Sequence, residues 1–126
     1  MLSDATSRAL AAALEGAAAR QGAIAHNLAN VDTPGFTRTD VEFEEALALA
    51  LEGARRAPHR AADFIAALSL RPRPDRLAPA RADGNNVDID REMVLLSRNA
   101  LRYQAVTEAL AGRIRALRNV IQEGRR

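Results

Sequence analysis

The sequence predicts a mostly α protein: long N- and C-terminal helices paired as an antiparallel coiled-coil arm, with a short second helix and a Pro/Arg-rich loop between them. Three observations predict it. Apolar residues recur at alternating steps of four and three at both ends of the chain. Much of the 48% hydrophobic fraction is alanine, the best helix former. A single decapeptide, Asn27 to Phe36, stops the first helical pattern by several independent signals at once.

The N-terminal helix is expected over residues 1–30, with Ser3 or Asp4 as its N-cap. Taking Leu10 as a core position, its seam reads Leu10, Leu14, Ala17, Gln21, Ile24, Leu28 and then Val31. Ala17 and Gln21 weaken the middle of that stripe, so the helix needs a partner in register. His26 lies beside the stripe with no second ligand at metal-binding spacing, and reads as a helix-surface residue.

The turn occupies residues 31–39. Asn30 tolerates the left-handed conformation found just past helix ends, and Thr33 is pushed toward extended geometry by the proline after it. Pro34 supplies the φ of a turn's second position and Gly35 the positive φ of its third. Thr33-Pro34-Gly35-Phe36 is therefore read as a type II turn that presents Phe36 at a fixed angle.

A second helix is expected over residues 40–56. Thr39-Asp40-Val41-Glu42 has the form of a capping box, and Phe43, Leu47, Ala50, Leu51 and Ala54 share one face. Residues 57–86 hold four of the five prolines, and seven arginines lie between 55 and 81. This stretch reads as a mostly extended loop with one short helix possible over Ala61 to Leu70.

The C-terminal helix, residues 87–122, carries the clearest pattern. Gly84, Asn85, Asn86 and Asp88 form its entry, with Asn86 as the expected N-cap and Asp88, Asp90 and Glu92 at the positive end of the helix dipole. The seam runs Ile89, Met93, Leu96, Ala100, Tyr103, Thr107, Leu110, Ile114, Leu117, Ile121, a 3.5-residue repeat that reads as coiled coil or bundle. Leu110, Ile114 and Leu117 are expected as knobs packed by a facing helix, with Arg113 and Arg115 flanking the seam. Asp83-Gly84-Asn85-Asn86 has the oxygens of a calcium loop but lacks the bidentate Glu, which leaves turn and cap as its role.

At 126 residues and 13.6 kDa the chain makes one small domain. There is no Cys, which excludes disulfides and thiol chemistry, and two histidines give a histidine-based catalytic site little to draw on. No cofactor is expected. A pI near 10.3 suits nucleic acid, and a small basic helical nucleic-acid-binding protein is the alternative reading. The distribution of charge argues against it. Residues 1–52 hold three arginines and eight acids, whereas residues 91–126 hold eight arginines and three acids, so the two halves attract each other or their neighbours.

The stretch Asn27-x-x-Asn30-x-x-Thr33-Pro34-Gly35-Phe36 after a long helix resembles the signature of the bacterial flagellar axial proteins, the rod and hook subunits. Asp83-Gly84-Asn85-Asn86-Val87-Asp88-Ile89, Glu92-Met93 and Leu101-Arg102-Tyr103-Gln104 narrow the resemblance to the basal-body rod proteins, over residues 5–52 and 83–122. It implies a structural protein and not an enzyme, polymerising through its terminal helices into the tube that serves as drive shaft. The implied partners are other copies of itself, other flagellar rod and basal-body proteins, and the flagellar type III export apparatus. Neither nucleic acid nor a small-molecule substrate is implied. The implied location is the periplasm-spanning rod of the basal body, reached without a cleaved signal peptide; the first residues lack a basic n-region.

Overall fold

The computed structural model describes residues 2–124, with side chains from residue 5 onward. In order, the chain forms α1 (Leu2–Ala29), β1 (Thr39–Asp40), α2 (Glu44–Arg56), a 3₁₀ turn (Pro58–Arg60), α3 (Ala61–Ala66), β2 (Arg73–Pro74) and α4 (Ile89–Glu123). The expected N-caps Ser3 and Asp4 fall in the first turn, and their side chains lie outside the described residues.

α1 is the central element because it buries two faces. One packs antiparallel against α4, as the paired-arm reading expected. The other is a run of small residues, Ala9, Ala12, Gly16 and Ala23, against which α2 and α3 fold back. Ala9 and Ala12 meet Ile65 with Leu47 and Leu68, and Ala23 meets Val41 and Phe43. The close approach depends on Gly16, where an added Cβ would sit 2.7 Å from the Phe43 ring. Phe43 is one of the largest fully buried side chains, and its ring also lies 5.1 Å from the Arg20 guanidinium carbon.

The α1–α4 contact carries polar ties at regular steps. Asn27 Nδ2 donates to Glu92 Oε2 (3.2 Å), Asn99 Nδ2 donates to the Ala17 carbonyl (2.8 Å) and to Gln21 Oε1 (3.0 Å), and Arg113 Nε donates to Ser7 Oγ (2.9 Å). Glu92, Asn99 and Arg113 share one heptad position, so an unbroken 3.5-residue repeat brings all three onto α1.

Four local expectations are corrected. The capping box does not form: Thr39 and Asp40 pair antiparallel with Pro74 and Arg73, and the Thr39 N–H donates to Asn27 Oδ1 (2.9 Å). With its backbone engaged there, Thr39 cannot cap, and α2 begins at Glu44 instead of residue 40. The N-cap of α4 is Asp88, which accepts from the Arg91 N–H (3.2 Å), because the Asn86 side chain is engaged elsewhere. Asn30 does not adopt a left-handed conformation; among the described residues positive φ occurs only at Gly35 (71°) and Gly84 (82°). The 57–86 loop holds a 3₁₀ turn, a helix that stops at Ala66 and a strand.

Candidate functional site at the joint of the arm

The two sequence motifs, 55 residues apart, meet where α1 ends and α4 begins. The α1 side is the predicted turn: the Phe36 N–H donates to the Thr33 carbonyl (3.2 Å), and Gly35 takes the positive φ that the turn requires. Phe36 is half-buried with its ring edge-on to His26, centroids 5.4 Å apart, and Thr33 and Pro34 are exposed. Asn30 Nδ2 folds back onto the His26 carbonyl at 2.8 Å.

Asn85 holds this turn. Its buried Nδ2 donates to the carbonyls of Asn30 (2.9 Å), Val31 (3.1 Å) and Thr33 (2.8 Å), which also accept from the Thr33 N–H, Arg81 Nη2 and the Phe36 N–H respectively. Its own backbone is fixed by Asp83 Oδ1, whose acceptance of the Asn85 N–H lowers the Asp83 pKa. The Gly35 N–H donates to the Asp83 carbonyl (2.8 Å) and the Asn86 N–H to the Phe36 carbonyl (3.2 Å). Gly84 takes a positive φ of 82°, which favours glycine, and packs against Gly35, where an added Cβ would lie in ordinary contact 3.4 Å from Gly35 Cα.

Beneath the turn lies a buried polar cluster; the sequence reading named Asn27, Asn86 and Glu92 separately, and neither Arg38 nor Asp75. Asn27, fully buried, exchanges both amide bonds with the Thr39 backbone, donating to its carbonyl at 2.8 Å, while also reaching Glu92. Arg38 Nε donates to Glu92 Oε1 (2.7 Å) and its Nη1 to Asp75 Oδ2 (2.6 Å), with the Arg38 and Glu92 side chains only 1% and 0% exposed. Burial opposes the charge on Arg38, but Glu92 and Asp75 outweigh it and its pKa is raised. Burial likewise pushes the Asp75 carboxyl up, and Arg38 with the Leu77 and Ala78 N–H groups pulls it below the usual carboxylate value. The Arg38 N–H donates to Asn86 Oδ1 (2.6 Å), which explains why Asn86 is not the cap. No pattern marks Arg38 in the sequence. Glu92 looked like a first-turn acid, and only the heptad phase of Asn99 and Arg113 places it inward.

A second ion-pair group braces the middle of the arm. Glu44 accepts from both Arg20 and Arg102, so α2, α1 and α4 share one carboxylate. Burial raises its pKa, but the Arg20 hydrogen bonds prevail and bring it down to about 2.

The predicted seam divides. On α1, Ala17 and Ile24 are buried and Leu10, Leu14 and Leu28 half-buried. On α4, Leu96 and Leu110 are half-buried, whereas Ile89, Met93, Tyr103, Ile114, Leu117 and Ile121 are 42–65% exposed. Within one chain, then, Ile114 and Leu117 are not enclosed knobs, and the flanking Arg113 is the residue turned toward α1. The strip against α1 is offset by one residue from the predicted one. The joint is a fastening, with the motif residues other than Pro34 hydrogen-bonded to or through backbone groups. Among the described residues no group of three or more His, Asp or Glu is placed to hold a metal, and no helix is long and apolar enough to cross a membrane.

Residues 8–37, the α1 segment and its turn, match the family model described as flagella basal body rod protein. Along nearly the whole chain the protein is similar to the flagellar basal body rod protein FlgB of Escherichia coli (strain K12), 36% identical over 132 residues and covering 96% of each chain. The FlgB proteins of Bacillus subtilis (strain 168), 34% identical with 90% of each covered, and of Borrelia hermsii, 36% identical with 82% and 85% covered, match in the same way. With relatives above 30% identity along most of its length, the chain belongs to the flagellar basal-body rod protein family, among its FlgB members.

Proposed function

We propose that this protein is a structural subunit of the proximal rod of the bacterial flagellar basal body, polymerising through its terminal helices into the drive-shaft tube. One observation carries the reading beyond family membership. α4 turns polar Glu92 and Asn99 toward α1 and leaves Ile89, Met93, Tyr103, Ile114, Leu117 and Ile121 open to solvent. Apolar residues on a 3.5-residue repeat are left for helices of other chains to cover, so the seam is an assembly face. Asn27, Asn30, Thr33, Pro34, Gly35 and Phe36, with Gly84, Asn85, Asn86 and Asp88, set the direction in which the arm leaves the joint.

The partners are other copies and neighbouring rod and basal-body proteins, and the flagellar export apparatus delivers the subunit without cleavage. Three arginines are engaged within the chain, Arg20 and Arg102 on Glu44 and Arg38 on Glu92 and Asp75, and the remaining arginines of α4 are scattered around the helix instead of forming one basic face for a nucleic acid. The test is deletion of this chain in its host, followed by electron microscopy of purified basal bodies. Basal bodies without a rod are expected, with swimming restored by the intact chain; complete rods in the deletion strain would overturn the reading.

A further inference from the structure

The 71–78 loop presents the most exposed large apolar side chain of the described residues. Leu77 is 97% exposed, yet its turn is tied down at every point. Asp75 Oδ1 accepts the Leu77 N–H (3.1 Å) and the Ala78 N–H (3.2 Å), the Asp75 N–H donates to the Arg38 carbonyl (2.9 Å), and the Asp75 carbonyl accepts from Asn86 Nδ2 (2.7 Å). A single exposed leucine is ordinary; one held on a rigid turn is ready to bind without an ordering cost. Arg73 and Arg76 line the same surface hollow as Leu77, which Asp40, Glu42 and Asp75 also line; both arginines are exposed and without an ion pair among the described residues.

The complementary surface is on this same chain. α2 buries Ala50 and Ala54, which turns Glu45 and Leu49 outward; Leu49 is 68% exposed, and Glu45 makes no ion pair among the described residues. A leucine flanked by Arg73 and Arg76 matches a leucine beside an unpaired acid. The two leucines do not cover each other within one molecule, since Leu77 and Leu49 are 97% and 68% exposed.

We propose that the Leu77 turn docks on the outer face of α2, around Glu45 and Leu49, of a second copy of this chain. The contact joins two different patches, so it is heterologous and builds a ring or an open helical array instead of an isologous dimer. It rests on the rod-subunit reading and adds a second contact to the one made by the terminal helices.

The chain has no cysteine, so disulfide trapping reports single sites. Differently tagged Leu77→Cys and Leu49→Cys chains are co-expressed in the deletion strain, and purified basal bodies are oxidised. A mixed-tag disulfide dimer is expected, since Cα atoms within about 7 Å can be bridged, and neither variant alone should form one. Arg73→Glu with Arg76→Glu should lower the yield about tenfold, and Glu45→Arg in the neighbour should restore it. Both variants sit at exposed positions, and helix content by circular dichroism confirms folding. Rods that contain both variants yet give no mixed dimer overturn this contact and leave the rod reading standing, whereas absence of the chain from basal bodies refutes the rod reading itself. Absence of the mixed dimer, with binding to phosphatidylglycerol-containing vesicles that is lost in the Arg73→Glu/Arg76→Glu variant, would assign the basic turn to a membrane surface instead.

Discussion

Glu92 on the first turn of α4 and Arg38 behind the Pro-Gly turn form a fully buried ion pair at 2.7 Å, across 54 residues of sequence. The pair connects the end of one long helix to the start of the other. Truncating one member leaves the other charged and buried, and Glu92→Ala should lower stability by about 3–5 kcal/mol in urea unfolding. Replacing both, Arg38→Met with Glu92→Leu, should cost clearly less than the sum of the single changes. Additive losses would mean that the two charges act independently.

Two glycines of α1 should respond to alanine in opposite ways. At Gly16 the new methyl meets the Phe43 ring, so Gly16→Ala should cost about 1–3 kcal/mol despite the gain in helix propensity. At Gly22 nothing lies within 4 Å, and Gly22→Ala should raise stability by about 0.5–1 kcal/mol. Thermal unfolding of both variants decides this, and Phe43→Leu should rescue Gly16→Ala.

Acid should loosen the fold through two carboxylates. Glu44, at about 2 against an ordinary 4.5, and Asp75, below its ordinary 3.8, both have depressed pKa values in the folded chain. Their stabilisation is complete above the unfolded values and disappears as pH falls from about 4.5 toward 2, because the unfolded chain then takes up protons first. Urea midpoints should be flat between about pH 5 and 7 and drop below that, with a smaller drop in Glu44→Gln. Glu44 is partly solvent-exposed, which keeps its share of the effect modest.

Leu117→Ala should separate folding from assembly. Leu117 is about half exposed in the single chain, so its truncation should change monomer stability by less than ~1 kcal/mol. Assembly into rods should nevertheless fail, because each neighbour loses the same buried contact. Arg115→Ala should change stability by about 0.5 kcal/mol and leave swimming intact. Normal rods from the leucine variant would remove the seam from the assembly face.

The long helices, their antiparallel pairing and the Pro-Gly turn were legible in the sequence because each rests on local rules: periodicity, φ restriction and positive φ. The second face of α1 was not, since alanine and glycine at positions 9, 12, 16 and 23 carry almost no periodic hydrophobic signal. Their meaning appears only once Phe43 is set against them. Thr39 misled for a related reason: the capping-box pattern was present, but Asn27 and the 73–74 strand compete for the same backbone and win. Asn85 was read as part of a helix entry, while its three carbonyl partners lie more than 50 residues away. The strip of α4 that meets α1 lies one residue off the expected seam, and that offset decides whether polar or apolar side chains face α1.

The polar ties between α1 and α4 also govern how the arm bears load. An interface of leucine knobs is a low-friction plane, along which one helix can slip by a heptad at little penalty because the contacts are alike. Asn27 with Glu92, Gln21 and Ala17 with Asn99, and Ser7 with Arg113 are directional bonds at unlike sites. Sliding by one repeat would break them all together and leave buried amides without those partners. A twisting shaft loads its subunits in shear, and these bonds make the paired helices stiff along the direction in which a purely oily seam would creep.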